Sequence, residues 1–113
     1  MKVILTYTES ILVAQFNGSL DTVTAPEAET QLMNKVDEGA KFIVIDFGMT
    51  EYIASSGLRV LLKLSRTLKK QGGRVSLCRG NQQVQEVLEI SGFLQIFEHF
   101  PTLEEAMNSV TMA

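Results

Sequence analysis

The chain has little with which to build a covalent or metal-held framework. Its only cysteine is Cys78. No disulfide can close within it, and a lone thiol suits the reducing cytoplasm, where we expect the protein to reside. Its only histidine is His99. With one histidine and one cysteine in separate segments, a metal site or catalytic dyad is poorly supported, and no cofactor is expected. No apolar run reaches the roughly 18 residues that a membrane span needs, so no membrane insertion is expected. The opening residues, Met1 to Thr6, lack the long apolar core and small-residue cleavage site of a signal peptide. Internal repeats, low-complexity segments and linkers are missing too. Gly72-Gly73 precedes a strand rather than a helix, so the glycines form no nucleotide fingerprint. The net charge of -3 argues against non-specific binding of nucleic acid, while leaving room for a local basic patch.

What is present is 113 residues, 45% hydrophobic and 20% charged. That suffices for one domain, residues 1–113, around one core. Residues 3–7 and 11–16 read as a strand pair joined at Glu9-Ser10. Asn17 to Asp21 reads as a turn-rich loop. Thr24, with Glu27 three positions on and Pro26 in the first turn, reads as the capping box of a helix that turns Ala28, Leu32 and Val36 inward and stops at Gly39. Phe42 to Phe47 is a strand covered on both faces, interrupted by Asp46 near its carboxyl end.

A second helix carries Leu58, Leu61, Leu62, Ser65 and Leu68 on one face and Arg59, Lys63, Arg66 and Lys70 on the other. The basic stripe reads as a solvated face, or as one that meets an acidic partner. A strand follows at residues 74–78, then a helix capped by Asn81 and ended by Gly92, a short strand at residues 96–100, and a last helix opened by the capping box Thr102-Leu103-Glu104-Glu105. The final residues are expected to fray. The order ββαβαβαβα implies an α/β domain with a mixed sheet of about five strands and four helices, its later strands joined by right-handed parallel crossovers.

The stretch Met49 to Leu58 stands out. It leaves the buried strand, crosses the surface as a loop, and places Ser55 and Ser56 where the second helix begins. One serine fits an N-cap. The other stands where the free N–H groups and dipole of a helix start tolerate a phosphate. Both also fit a plain cap followed by a turn residue. Asp21 and Asp46 read either as solvated strand-end carboxylates or as charges beside this loop.

These features together resemble the STAS family, the domain of bacterial anti-sigma factor antagonists. Gly18-Ser19-Leu20-Asp21 is similar to the family's Gly-x-Leu/Ile-Asp loop, Ile43-Val44-Ile45-Asp46 to its central strand, and Tyr52 to Leu58 to its switch loop, usually Asp-Ser-Ser/Thr-Gly-Leu. Gly72-Gly73 and Glu104-Glu105-Ala106 also fit. The resemblance implies a non-enzymatic regulator of transcription that binds an anti-sigma factor serine kinase and frees a sigma factor. The kinase would phosphorylate Ser55, and a serine phosphatase would reset it. Asp21, Ile53, Ala54, Ser56, Gly57 and Leu58 would contact the partner. This chain departs from the pattern at Ala54, which replaces the usual aspartate. That departure favours an alternative: a constitutive STAS scaffold, such as a subunit of a lipid-transport ABC complex or other signalling assembly. A serine hydrolase would need a base near Ser55, and His99 lies far away in sequence.

Overall fold

The computed structural model describes residues 1–111. The fraying expected at the extreme C-terminus falls on residues 112 and 113, outside the described residues.

β1 (Lys2–Thr8) turns through Glu9, at φ 57°, into the antiparallel β2 (Ile11–Leu20). α1 (Ala25–Asp37) follows, then β3 (Phe42–Asp46), β4 (Thr50–Ile53), α2 (Ser55–Lys70), β5 (Arg74–Cys78), α3 (Gln82–Ile90), a 3-10 turn (Phe93–Gln95), β6 (His99–Phe100) and α4 (Leu103–Thr111). The strands run in the order β1-β2-β3-β5-β6, and β4 pairs with β2 off this path. All pairings but β1–β2 are parallel. The α/β class, the mixed sheet and the four helices are as the pattern predicts.

Side-chain alternation explains the layers. Leu12, Ala14, Phe16, Ile43, Ile45 and Leu77 point to one sheet face and join the inner stripes of α1, α2 and α3 in the main core. Ile11, Val13, Val44 and Cys78 point to the other and pack on Ala106 and Val110 of α4. Further along that second face stand Gln15 and Asp46, which are register partners on β2 and β3. Asp46 is fully buried and takes both Arg79 Nε (2.9 Å) and Nη2 (2.8 Å), Gln15 Nε2 (3.0 Å) and the Gly48 N–H (2.9 Å). Asp46 is thus neither solvated nor a loose charge. It is the acceptor at the centre of a polar cluster.

Three local expectations are corrected. First, the expected surface loop after Phe47 contains β4, and β2 runs on to Leu20 to meet it, shifting register at Gly18/Ser19 where Gly18 takes φ 118°. The strand count among the described residues is therefore six. Secondly, Thr24 stands at the N-cap of α1 but makes no capping bond. Its hydroxyl donates to the Ser19 carbonyl (2.7 Å) and accepts from the Asp21 N–H (2.9 Å), which folds the β2–α1 loop instead. Thirdly, of residues 96–100 only His99 and Phe100 pair as strand, because the Ile96 and Phe97 N–H groups bond back to the Phe93 carbonyl (3.0 and 2.7 Å) and continue the turn. Apart from α2, whose N-cap is Ala54 rather than a serine, the other caps behave as read. Asn81 Oδ1 accepts the Val84 N–H (2.8 Å), Thr102 accepts the Glu105 N–H (3.2 Å), and Gly39 and Gly92 take positive φ after α1 and α3.

Candidate functional site

Parallel strands deliver their following loops to one edge of the sheet, beyond the carboxyl ends. Here β2 and β4 run side by side with Ser19 opposite Tyr52 and Leu20 opposite Ile53. The Ala54 N–H then donates to the Leu20 carbonyl (2.9 Å), which zips the two strand ends together one residue beyond the ladder. The Asp21–Thr24 turn and the start of α2 are therefore neighbours. Thr22 Oγ1 lies 3.4 Å from Ser56 Oγ, a direct contact between the two segments.

The helix begins one residue earlier than a serine cap requires. Ala54 is the N-cap, extended at φ -98° and ψ 175°, and its methyl group offers no capping bond. Both serines lie inside the first turn. The first intrahelical bond runs from the Leu58 N–H to the Ala54 carbonyl (3.0 Å), and no acidic residue occupies the first turn. The positive pole of a 16-residue helix is thus left without a counter-charge of its own.

Ser55 is exposed and Ser56 half-buried. Ile53 and Leu58, expected on the partner surface, face inward instead. Ile53 is fully buried and Leu58 is 8% exposed, both in the main core. Gly57 is also buried, and its role is close approach. A Cβ there would stand 2.8 Å from Leu20 Cγ and 2.9 Å from both Ile53 Cγ1 and the Leu20 carbonyl oxygen. These three residues set where the loop sits, while Ser55, Ser56 and the half-buried Ala54 form its outer face.

Asp21 is turned inward on its own loop. Its Oδ1 accepts the N–H groups of Thr24 (3.1 Å) and Val23 (3.0 Å), with the Thr24 hydroxyl oxygen 3.2 Å away. These bonds, the Thr24 N–H foremost, hold its carboxyl below the usual range against a smaller desolvation. Asp21 shapes the loop beside Ser56 and remains partly exposed. Burial opposes ionisation of Asp46 more strongly, yet the bonds from Arg79, Gln15 and the Gly48 N–H, with the Arg79 charge, outweigh it and leave that carboxyl lowered. His99 Nε2 accepts the Gly80 N–H (2.9 Å) and burial lowers its pKa, so it is a neutral structural acceptor.

The sequence reading missed the apolar side chains that these segments expose. Val23 is 86% exposed, Met49 46% and Tyr52 46%. Alternation alone would not have placed Tyr52, because Thr50 and Ile53 are buried while Glu51 and Tyr52 between them are exposed. Thr22 and Arg79 carried no sequence signal. An open hollow of about 240 Å³ beside Ser56 is bordered by Thr22, Pro26, Glu29 and Arg59. The arrangement offers a hydroxyl to a modifying enzyme and a surface of mixed polarity to a protein. Among the described residues, no group of three or more histidine, cysteine or carboxylate side chains could hold a metal, and no helix is long and apolar enough to cross a membrane.

Comparison with known proteins agrees with this layout. The chain is 38% identical over 97 residues to a Bordetella bronchiseptica protein provisionally named anti-sigma factor antagonist BtrV, covering 86% of this chain and 84% of that one. Its fold is similar to that of a Thermotoga maritima protein provisionally described as an anti-sigma factor antagonist (TM-score 0.92, 21% identity, 97% of this chain and 95% of that one). It is also similar to the anti-sigma factor antagonist SpoIIAA in its unphosphorylated form (TM-score 0.84, 24% identity, 96% of each chain). The phosphorylated form of SpoIIAA, from Bacillus, superposes with a TM-score of 0.74 at 24% identity, covering 96% of this chain and 99% of that one. The sequence profile of the STAS domain matches residues 2–106, and the chain belongs to that family.

Proposed function

We propose that the protein is an anti-sigma factor antagonist, a cytoplasmic regulatory module rather than an enzyme. In this reading it binds an anti-sigma factor that is also a serine kinase, and phosphorylation of Ser55 switches it off until a phosphatase removes the group. The observation that carries the reading is the exposed Ser55 at the uncountered positive pole of α2, next to a loop it can share with a partner. The kinship with BtrV supports the same role.

A phosphate adds about -1.5 to -2 charge. The exposed start of α2 accepts that charge without exposing any core side chain. A protein seated on Ser55, Ser56, Ala54 and the Asp21 loop would have to desolvate it, and affinity falls unless the partner supplies a cation. The test is incubation with the cognate kinase and ATP, followed by phosphopeptide mass spectrometry and a binding titration of the anti-sigma factor. We expect phosphate on Ser55 and at least about tenfold weaker binding by Ser55→Asp, equivalent to about 1.4 kcal/mol. Unchanged affinity, in a variant that folds normally, refutes the switch.

Ala54 favours a second reading, in which the same surface serves a constitutive STAS scaffold, as in a lipid-transport ABC complex or another signalling assembly. That reading expects no Ser55 phosphopeptide and a partner bound equally by wild type and Ser55→Asp.

A further inference from the structure

The net charge of -3 conceals a strong division along the chain. Within α2 stand Arg59, Lys63, Arg66, Lys69 and Lys70, and no acid. From Gly80 onward stand Glu86, Glu89, Glu98, Glu104 and Glu105, and no lysine or arginine. Each half of this division coincides with an uncovered apolar feature.

On α2 an open groove of about 410 Å³ is lined by Leu62 and Thr67 and flanked by Arg59, Lys63, Arg66 and Lys70. Lys63 reaches Glu29 (3.1 Å), whereas Arg59, Arg66 and Lys70 make no ion pair among the described residues. The long stems of these cations wall the groove with methylenes while their heads stay in water. At the far end of α3 a knob projects. Ile90 is 85% exposed, with Leu94 at 41% and Ile96 at 51% just beyond it. Glu86 stands one turn before Ile90 on the same helix face, and Glu89 precedes it in the chain, both exposed. The basic outer face of α2, with Leu62 along it, and the exposed apolar end of α3, with its glutamates, are complementary in charge.

We propose that the occupant of each is a second copy of this chain, the Ile90 knob of one copy entering the α2 groove of the next. The contact uses the exposed faces of α2 and α3, not Ser55, so it goes beyond the proposed switch and fails independently of it. It is small beside a standard interface, so the association is weak and driven by charge, and salt screens it. A knob-to-groove contact joins unlike surfaces, so successive copies add head to tail unless the ring closes.

Sedimentation velocity of the full chain from micromolar to millimolar concentration tests this. Wild type should gain mass with concentration and lose at least about tenfold in association constant when salt rises from about 50 to 500 mM. Ile90→Ser should lose association at both salts. The pair Glu86→Lys with Glu89→Lys, and the pair Arg66→Glu with Lys70→Glu, should each be monomeric alone, since knob and groove then carry like charge. Mixed in equal amounts, the two charge-reversed proteins should associate again. All these positions are exposed, and circular dichroism verifies each fold. Wild type that stays monomeric throughout overturns the proposal and leaves the patch to a different protein. Association of wild type without recovery in the charge-reversed mixture also overturns it, because the copies then meet elsewhere.

Discussion

Replacing Ala54 with aspartate should make the protein more stable. Position 54 already has the extended backbone of an N-cap, and its N–H is held by the Leu20 carbonyl, so the substitution asks for no backbone movement. Ala54 is half-buried, which leaves a carboxylate room to remain solvated on one side. From there an aspartate Oδ reaches the N–H of Ser56 or Gly57, which no side chain now takes. An N-cap bond contributes about 0.5–2 kcal/mol over alanine. A negative charge at the helix start adds about 0.3–1 kcal/mol. Allowing for overlap between the two, we expect about 1–2 kcal/mol, or about 4–8 °C in Tm for a domain of this size.

Urea and thermal unfolding followed by circular dichroism measure the gain, and Ala54→Asn separates the bond from the charge. The sign of the pH dependence is fixed. A capping carboxylate has a folded pKa below its unfolded value. Its contribution is therefore full above the unfolded value, about 4, and fades as pH falls through the folded one. A folded Ala54→Asp protein with an unchanged or lowered midpoint at neutral pH refutes the claim that the start of α2 lacks a cap.

Gly57→Ala should act in the opposite sense. In an open helix alanine is better than glycine by about 1 kcal/mol. Here its methyl would press on Leu20 and Ile53, so we expect a loss of about 1–3 kcal/mol in urea unfolding. Arg79→Met strips Asp46, whose side chain is fully buried, of its two charge-assisted bonds. Breaking a buried pair costs about 3–5 kcal/mol. The Arg79 side chain is 43% exposed, so we expect about 2–4 kcal/mol. The double variant with Asp46→Asn should recover part of it, and the lowered Asp46 pKa means that the wild-type advantage shrinks as pH falls below about 4. Cys78 is fully buried, and desolvation, then the Asp46 charge, pushes its thiol up to about 12. A thiol reagent at pH 8 should label it no faster than the protein unfolds; rapid native labelling would refute its burial.

The elements that hydrophobic periodicity could reveal were legible. α2 has a wide apolar stripe and an opposed basic one, and its interior runs as the pattern demands. β3 reads as buried because it is buried on both faces. β4 was not legible, since Thr50-Glu51-Tyr52-Ile53 has too few apolar residues to announce a strand, and half of it is exposed. Its existence depends on partners distant in sequence. Thr50 Oγ1 donates to the Phe16 carbonyl (2.7 Å), and Asn81 Nδ2 donates to the carbonyls of Thr50 (3.2 Å) and Glu51 (3.1 Å). The same blindness misplaced the cap of α2. Local propensity favours serine there, but β4 pairing through Ile53 and the Ala54–Leu20 bond fix the helix start one residue earlier. Asp46 was visible as an interruption, yet its partner Arg79 lies 33 residues away and only the fold brings them together.

The missing cap changes what a phosphate on Ser55 would do. In a chain with aspartate at position 54, the cap carboxylate already occupies the first-turn N–H groups, and a phosphate on the next residue meets a like charge. Here Ala54 leaves those donors open. The phosphate of Ser55 can then serve as the counter-charge that the helix start lacks. Phosphorylation should leave Tm unchanged or raised in wild type, and should lower it in Ala54→Asp. Phosphorylation and the Ala54→Asp substitution therefore form a double-perturbation cycle whose coupling has a predicted sign, and one set of four unfolding curves measures it. Equal effects of phosphorylation in both backgrounds would mean that the phosphate extends into solvent, away from the helix start. Its action on a partner would then rest on desolvation alone.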